Sequence, residues 1–136
     1  MAEKLQLEVV TPDRLVVSET VDIVMAMGAQ GEFGILAGHV PFLTPLQAGE
    51  LRYRKNNQLE YMAVSGGFAE VSNNKVTVLA EAAEKAREID LDRAKRARER
   101  AEKRLAKAKS EALDYIRAEA ALKRSLLRLR VAEKGR

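Results

Sequence analysis

Residues 88–94 read EIDLDRA and hold the carboxylates of Glu88, Asp90 and Asp92 beside the guanidinium of Arg93. Asp90 has the chemistry of a helix N-cap, and Asp92 falls in the first turn, where the helix dipole favours negative charge. Asp92 with Arg96 and Glu99 with Lys103 are expected i,i+4 pairs, each worth about 0.2–0.5 kcal/mol. The cations fit less well. Arg93, Lys95, Arg96, Arg98 and Arg100 crowd the N-terminal turns, the wrong end for positive charge. Arg93, Arg96 and Arg100 also repel one another at i+3 and i+4. Arg93 and Arg100 share one face at i and i+7, and two arginines at a helix N-terminus suit the binding of phosphate.

Other chemistry is thin. His39 is the single histidine and has no serine, cysteine or carboxylate pair near it in sequence, so it is expected to make neither a triad nor a metal site. The lack of cysteine excludes a thiol nucleophile and a thiolate metal site. The stretch GAQGEFGILAG, residues 28–38, is glycine-rich but lacks the Gly-Lys-Ser/Thr ending of a phosphate loop. Its glycines are expected at turns and bulges, and His39 in a structural loop role. The sequence predicts no active site. It also predicts no signal peptide, and no stretch approaches the roughly 18 apolar residues of a membrane span.

Two regions must carry these residues. All three prolines lie at or before Pro45, and every glycine except Gly135 at or before Gly67. Valine occurs eleven times up to Val78 and then only at Val131. LQLEV alternates as a half-buried strand with Leu5, Leu7 and Val9 inward, and VDIVM is expected to put Val21, Ile23 and Met25 on one face. Asn56-Asn57 and Asn73-Asn74 are expected to take the positive φ of tight hairpin turns. Several short strands without intervening helices predict an antiparallel sandwich or barrel.

From Asp90 the period becomes helical. Ala94, Ala97, Ala101, Leu105, Ala108 and Ala112 form a narrow seam that lets a second helix come close. That helix is expected to begin near Asp114, after a weak break at KSEAL. Leu113, Ile116, Ala120, Leu127 and Val131 are expected on one face, with Leu122, Leu126 and Leu129 on another, free for a second surface. Charge divides the same way: residues 1–80 carry six Lys/Arg against nine Asp/Glu, and residues 81–136 carry eighteen against eleven. The basic half calls for an acidic or polyanionic partner.

GEFGILAGHVPFLTPL, SGGFAEVSNNKVTVLAEAAE, IDLDRA and ALKRSLLRLRVAE occur in order and cover most of the chain. As a set they resemble the epsilon subunits of bacterial rotary (F-type) ATP synthases. The resemblance implies an α+β chain: a sandwich of about ten antiparallel strands over residues 1–84, then a regulatory two-helix antiparallel hairpin over residues 85–136. It implies a non-catalytic subunit at the cytoplasmic face of the cell membrane, peripheral through its complex. The sandwich would bind the gamma subunit and the c-ring, with Glu32 and His39 near the ring. The helices would permit ATP hydrolysis when folded down and block it when extended to the catalytic alpha/beta head. There Arg117, Lys123, Arg124 and Arg128 would meet an acidic loop of the beta subunits.

The chain further resembles the ATP-binding epsilon subunits of Bacillus-like bacteria, whose (I/L)DxxRA motif is intact as Ile89, Asp90, Arg93 and Ala94. By that resemblance Glu84 and Asp90 hold the base, Ala94 lines its pocket, and Arg93 and Arg100 bind the phosphates. The implied ligand is ATP, with or without magnesium, and with no protein ligand to a metal. The rival reading is a nucleic-acid-binding protein using the basic helices. It calls for aromatics that stack on bases, and beyond Ala80 the sequence has only Tyr115.

Overall fold

The computed structural model of the chain describes residues 3–107 and 112–135. It divides into two compact units, Met1–Lys85 and Ala86–Arg136. The first unit holds ten strands: β1 Leu5–Val10, β2 Leu15–Val21, β3 Ile23–Gly28, β4 Gly31–Leu36, β5 Phe42–Leu46, β6 Gly49–Lys55, β7 Gln58–Val64, β8 Gly67–Ser72, β9 Lys75–Ala80 and β10 Ala83–Lys85. The second holds a 3-10 turn, Ala86–Glu88, followed by helices α1, Leu91–Lys107, and α2, Ala112–Lys134.

Hydrogen bonding runs β10-β7-β6-β3-β5-β8-β9-β1-β2, with β4 added beside β3. Strand β3 is the fold line. Its first half pairs with β6 from Ile23 to Met25, while its last residue, Gly28, pairs with Leu46 of β5. The sheet thus bends into two layers that enclose one apolar cluster. That cluster includes Leu5, Leu7 and Val9 of β1, Ile35 of β4, Leu51 of β6, Met62 of β7 and Val76 and Val78 of β9. The alternation expected of LQLEV is therefore present, as are both asparagine turns: φ is 52° and 64° at Asn56 and Asn57, and 51° and 59° at Asn73 and Asn74. These left-handed pairs match the twist of the flanking strands.

Two details depart from the sequence reading. Among the described residues every strand pair is antiparallel except β1 with β9, which is parallel. Nearly the whole sandwich lies between those two strands in sequence, long enough to supply the crossover that a parallel pair needs. Second, the chain bends at Asp22, and β3 turns Val24, Ala26 and Gly28 inward, not Ile23 and Met25. Val21 closes β2 with its side chain in the core. One residue in a bend moves every later side chain to the opposite face.

Helix α1 buries Ala94 and Ala101, with Ala97 and Leu105 half-buried, along the expected seam. Ala108 and residues 109–111 of the expected break lie outside the described residues, as do the side chains of Ala112 and Leu113. Helix α2 starts at Ala112, two positions before the expected Asp114. Its buried seam is Ala118, Ser125, Leu129 and Ala132, spaced i, i+7, i+11 and i+14, flanked by Leu127 and Val131. The Ser125 hydroxyl donates to the Leu122 carbonyl at 2.9 Å, which satisfies this buried polar side chain of the seam.

The expected division of α2 is thereby corrected. Ile116 and Leu126 are exposed, and Leu129 joins Leu127 and Val131 inside. Small residues on both helices select the seam, because they let the two backbones approach more closely than leucines would. The helices are antiparallel. Gly135, at the end of α2, lies so near the turn before α1 that an added Cβ would stand 2.1 Å from the Cβ of Ala86.

Candidate functional site

Two surfaces stand out, one on each unit. On the sandwich, cross-strand register aligns Pro45 with Phe68, Phe68 with Leu79, Leu79 with Val10, and Val10 with Leu15. Residues directly opposite in a ladder share a face. This row crosses β5, β8, β9, β1 and β2 on the side away from the core. Phe68 is 53% exposed, Leu79 56% and Leu15 55%, and Leu43, two residues from Pro45, is exposed as well. A contiguous apolar strip of this kind is a candidate contact surface. The sequence reading missed it, although a signal was present. Leu79 sits out of phase with the buried Val76, Val78 and Ala80 of the same strand.

Glu32 and His39 lie near the ends of the segment that links β3 to β5. A guanidinium nitrogen of Arg52 pairs with the Glu32 carboxylate, and Glu50 stands 3.7 Å from the Nε of Arg52. Glu32 is thus held across β3 by a cation from β6. The His39 ring lies edge-on to Phe42 at 5.9 Å, with its Nδ1 2.7 Å from the Val40 carbonyl, so Nδ1 carries the proton and donates. Gly38 is fixed by its amide, which donates to the Asn74 side-chain oxygen at 2.6 Å. Leu36 and Val40 beside this loop are exposed.

On the helical unit, Asp90 is the N-cap of α1. Its Oδ1 accepts from the Arg93 amide at 3.1 Å, and its carbonyl accepts from the Ala94 amide at 3.0 Å. The helix starts here because a side-chain oxygen satisfies an amide that no preceding turn can reach. Arg93 and Arg100 project from one face and are both exposed, so an anion in solvent can reach both guanidinium groups. Ile89 and Ala94 are 1% and 0% exposed, so neither side chain is open to a ligand. Glu84 lies in the other unit, on β10 opposite Ala63 of β7. The residues thus fit a polyphosphate as they stand. An adenine against Ala94 requires a side chain nearby to move.

The expected ion pairs of α1 do not form. Among the described residues neither Asp92 with Arg96 nor Glu99 with Lys103 is bonded; Arg98 pairs with Glu102 at 3.3 Å instead. On α2, Arg117 and Arg124 are exposed, Lys123 pairs with Glu119 at 3.2 Å, and Arg128 is half-buried with its Nε shielded. A cleft of about 380 Å³ lined by Arg104, Lys107, Asp114, Arg117 and Ala118 adds positive charge at the far end of the hairpin. No group of three or more potential metal-ligating side chains occurs among the described residues.

Family comparison accounts for both units. Residues 4–86 match the model of the ATP synthase Delta/Epsilon chain beta-sandwich domain, and residues 87–133 that of its long alpha-helix domain. The chain belongs to the ATP synthase delta/epsilon family. An ATP synthase epsilon chain of Nitratidesulfovibrio vulgaris (strain DP4) is 58% identical over 131 residues, covering 96% of this chain and 97% of that one. One from Syntrophobacter fumaroxidans is 58% identical over 134 residues, covering 98% and 99%. Among solved structures, a chain in the cryo-EM structure of the Euglena gracilis mitochondrial ATP synthase OSCP/F1/c-ring matches with TM-score 0.76 and 26% identity, over 88% of this chain and 76% of that one. A chain of the Tetrahymena thermophila mitochondrial ATP synthase central stalk and c-ring shares the fold, with TM-score 0.58 and 16% identity over 98% and 96%. Like these epsilon chains, this member of the family is a non-catalytic component of ATP synthase. No helix among its described residues is long and apolar enough to cross a membrane.

Proposed function

We propose that this chain docks its sandwich on the gamma subunit and the c-ring of a bacterial ATP synthase, at the cytoplasmic face of the membrane, and regulates ATP hydrolysis with its helices. The observation that carries the reading is the apolar row from Pro45 to Leu15, a prepared contact on a chain matched end to end by epsilon chains. The row meets gamma, and the loop with Glu32 and His39 meets the ring. ATP binds at Glu84, Ile89, Asp90, Arg93, Ala94 and Arg100, its phosphates on the two arginines, and brings any magnesium with it. Bound ATP favours the folded hairpin because it binds that state more tightly than the extended one. In the extended state Arg117, Lys123, Arg124 and Arg128 meet acidic groups of the alpha/beta head, where complementary charge fixes register. The test is reconstitution of the complex from parts lacking this subunit. The chain is expected to restore ATP-driven proton pumping and lower hydrolysis, the latter relieved by ATP. Unchanged pumping and hydrolysis with the chain fully incorporated would refute the proposal.

A further inference from the structure

Helix α1 presents a cationic face longer than any nucleotide. At about 100° per residue, Arg93, Arg96, Arg100, Lys103, Arg104 and Lys107 project within a sector of roughly 100° and extend over about 21 Å. All six are exposed. Among the described residues none of the six side chains forms a hydrogen bond or an ion pair. The acids Asp92, Glu99 and Glu102 fall in the neighbouring sector, and the alanine seam occupies the third. Like charges at i+3 and i+4 spacing oppose helix formation, and the helix dipole favours only Arg104 and Lys107, in the last turn, so folding of the hairpin gains nothing from Arg93, Arg96, Arg100 and Lys103. A triphosphate on Arg93 and Arg100 would cover only the first two turns and leave Lys103, Arg104 and Lys107 unmet.

We infer that this face is a docking surface for an acidic helix of a protein partner, one carrying carboxylates at i, i+3, i+4 and i+7. Charge complementarity selects that occupant. A helix repeats its side chains on the same rise as α1, so carboxylates and cations stay matched turn after turn. A flat anionic bilayer would be wider than the sector and would meet Asp92 and Glu99 at its margin. The face also offers no apolar residues for insertion. A single-stranded nucleic acid would need stacking aromatics, and α1 has none.

The inference is separable from the ATP reading because Arg96, Lys103 and Lys107 have no part in that site. The full chain is titrated at low salt with a labelled alanine-rich peptide of about 20 residues, long enough for the face, with glutamates along one stripe. A second peptide has the same composition with glutamates spread around the helix. The striped peptide is expected to bind about tenfold more tightly than the spread one. Arg96→Glu/Lys103→Glu/Lys107→Glu should abolish that preference with helix content by circular dichroism unchanged or raised. If that variant unfolds, Arg96→Gln/Lys103→Gln/Lys107→Gln supplies the same comparison. Equal binding of the two peptides, or an undiminished preference in the folded variant, overturns the inference. So does tighter binding to a single-stranded oligonucleotide or to phosphatidylserine vesicles than to the striped peptide.

Discussion

Phe68 of β8 and Leu79 of β9 face each other across an antiparallel ladder on the outer side of the sandwich, and more than half of each side chain is exposed. Such a pair contributes little to a free sandwich and much to a surface waiting for a partner. Phe68→Glu with Leu79→Glu is expected to change the unfolding free energy of the chain by less than about 1 kcal/mol, as for other exposed sites. The same double variant should fail to co-purify with gamma. Normal incorporation, measured by subunit stoichiometry of the purified complex, would remove the row from the docking surface.

Beside that pair, Gly67 has φ of +135°, and a Cβ added there would lie 1.9 Å from the Leu79 carbonyl oxygen. Both strain and collision oppose any side chain. Gly67→Ala should cost about 2–4 kcal/mol. Urea denaturation followed by circular dichroism measures this, and a loss below 1 kcal/mol would mean that β8 and β9 separate there with little resistance.

The observed cap at Asp90 and the proposed ATP site beside it can be separated by substitution. Asp90→Ala removes the cap on the Arg93 amide and should cost the hairpin about 1 kcal/mol. Asp90→Asn keeps a capping oxygen and should leave helix content unchanged. Arg93→Ala, with the cap intact, should abolish the heat of ATP binding in calorimetry. Full binding heat in Arg93→Ala would move the nucleotide elsewhere.

On α2 the cations are not equivalent. Changing Arg117, Lys123 and Arg124 to alanine should relieve inhibition of hydrolysis without weakening the hairpin, since all three are exposed. Arg128→Ala alone should also lower the thermal midpoint, because its side chain is half-buried and the substitution removes that packing. Hydrolysis by complexes with matched incorporation decides the first point, and a melting curve decides the second.

Gly135→Ala is expected to loosen the hairpin at its open end, where α2 finishes and the new methyl would collide with Ala86. Hydrogen exchange at the Gly135 amide, bonded to the Val131 carbonyl at 3.0 Å, should accelerate. Unchanged protection would show that the turn before α1 yields without cost.

Much of this could be read from residue order because it depends on local forces. The alternation of Leu5, Leu7 and Val9, the asparagine pairs with positive φ, the cap at Asp90 and the alanine seam of α1 involve residues a few positions apart. Periodicity and turn chemistry act at that range, and so does the family resemblance through its ordered motifs. What only the tertiary structure decided depends on register between distant segments. The bend at Asp22 chose which face of β3 enters the core. Strand pairing brought Arg52 to Glu32 and lined Phe68 up with Leu79, and the closeness of two helices made α2 bury Ser125 and Ala132 where Ile116 and Leu126 stay outside. A one-residue shift reverses each of these outcomes, and only the packed chain, in which every strand constrains its neighbour, determines that shift.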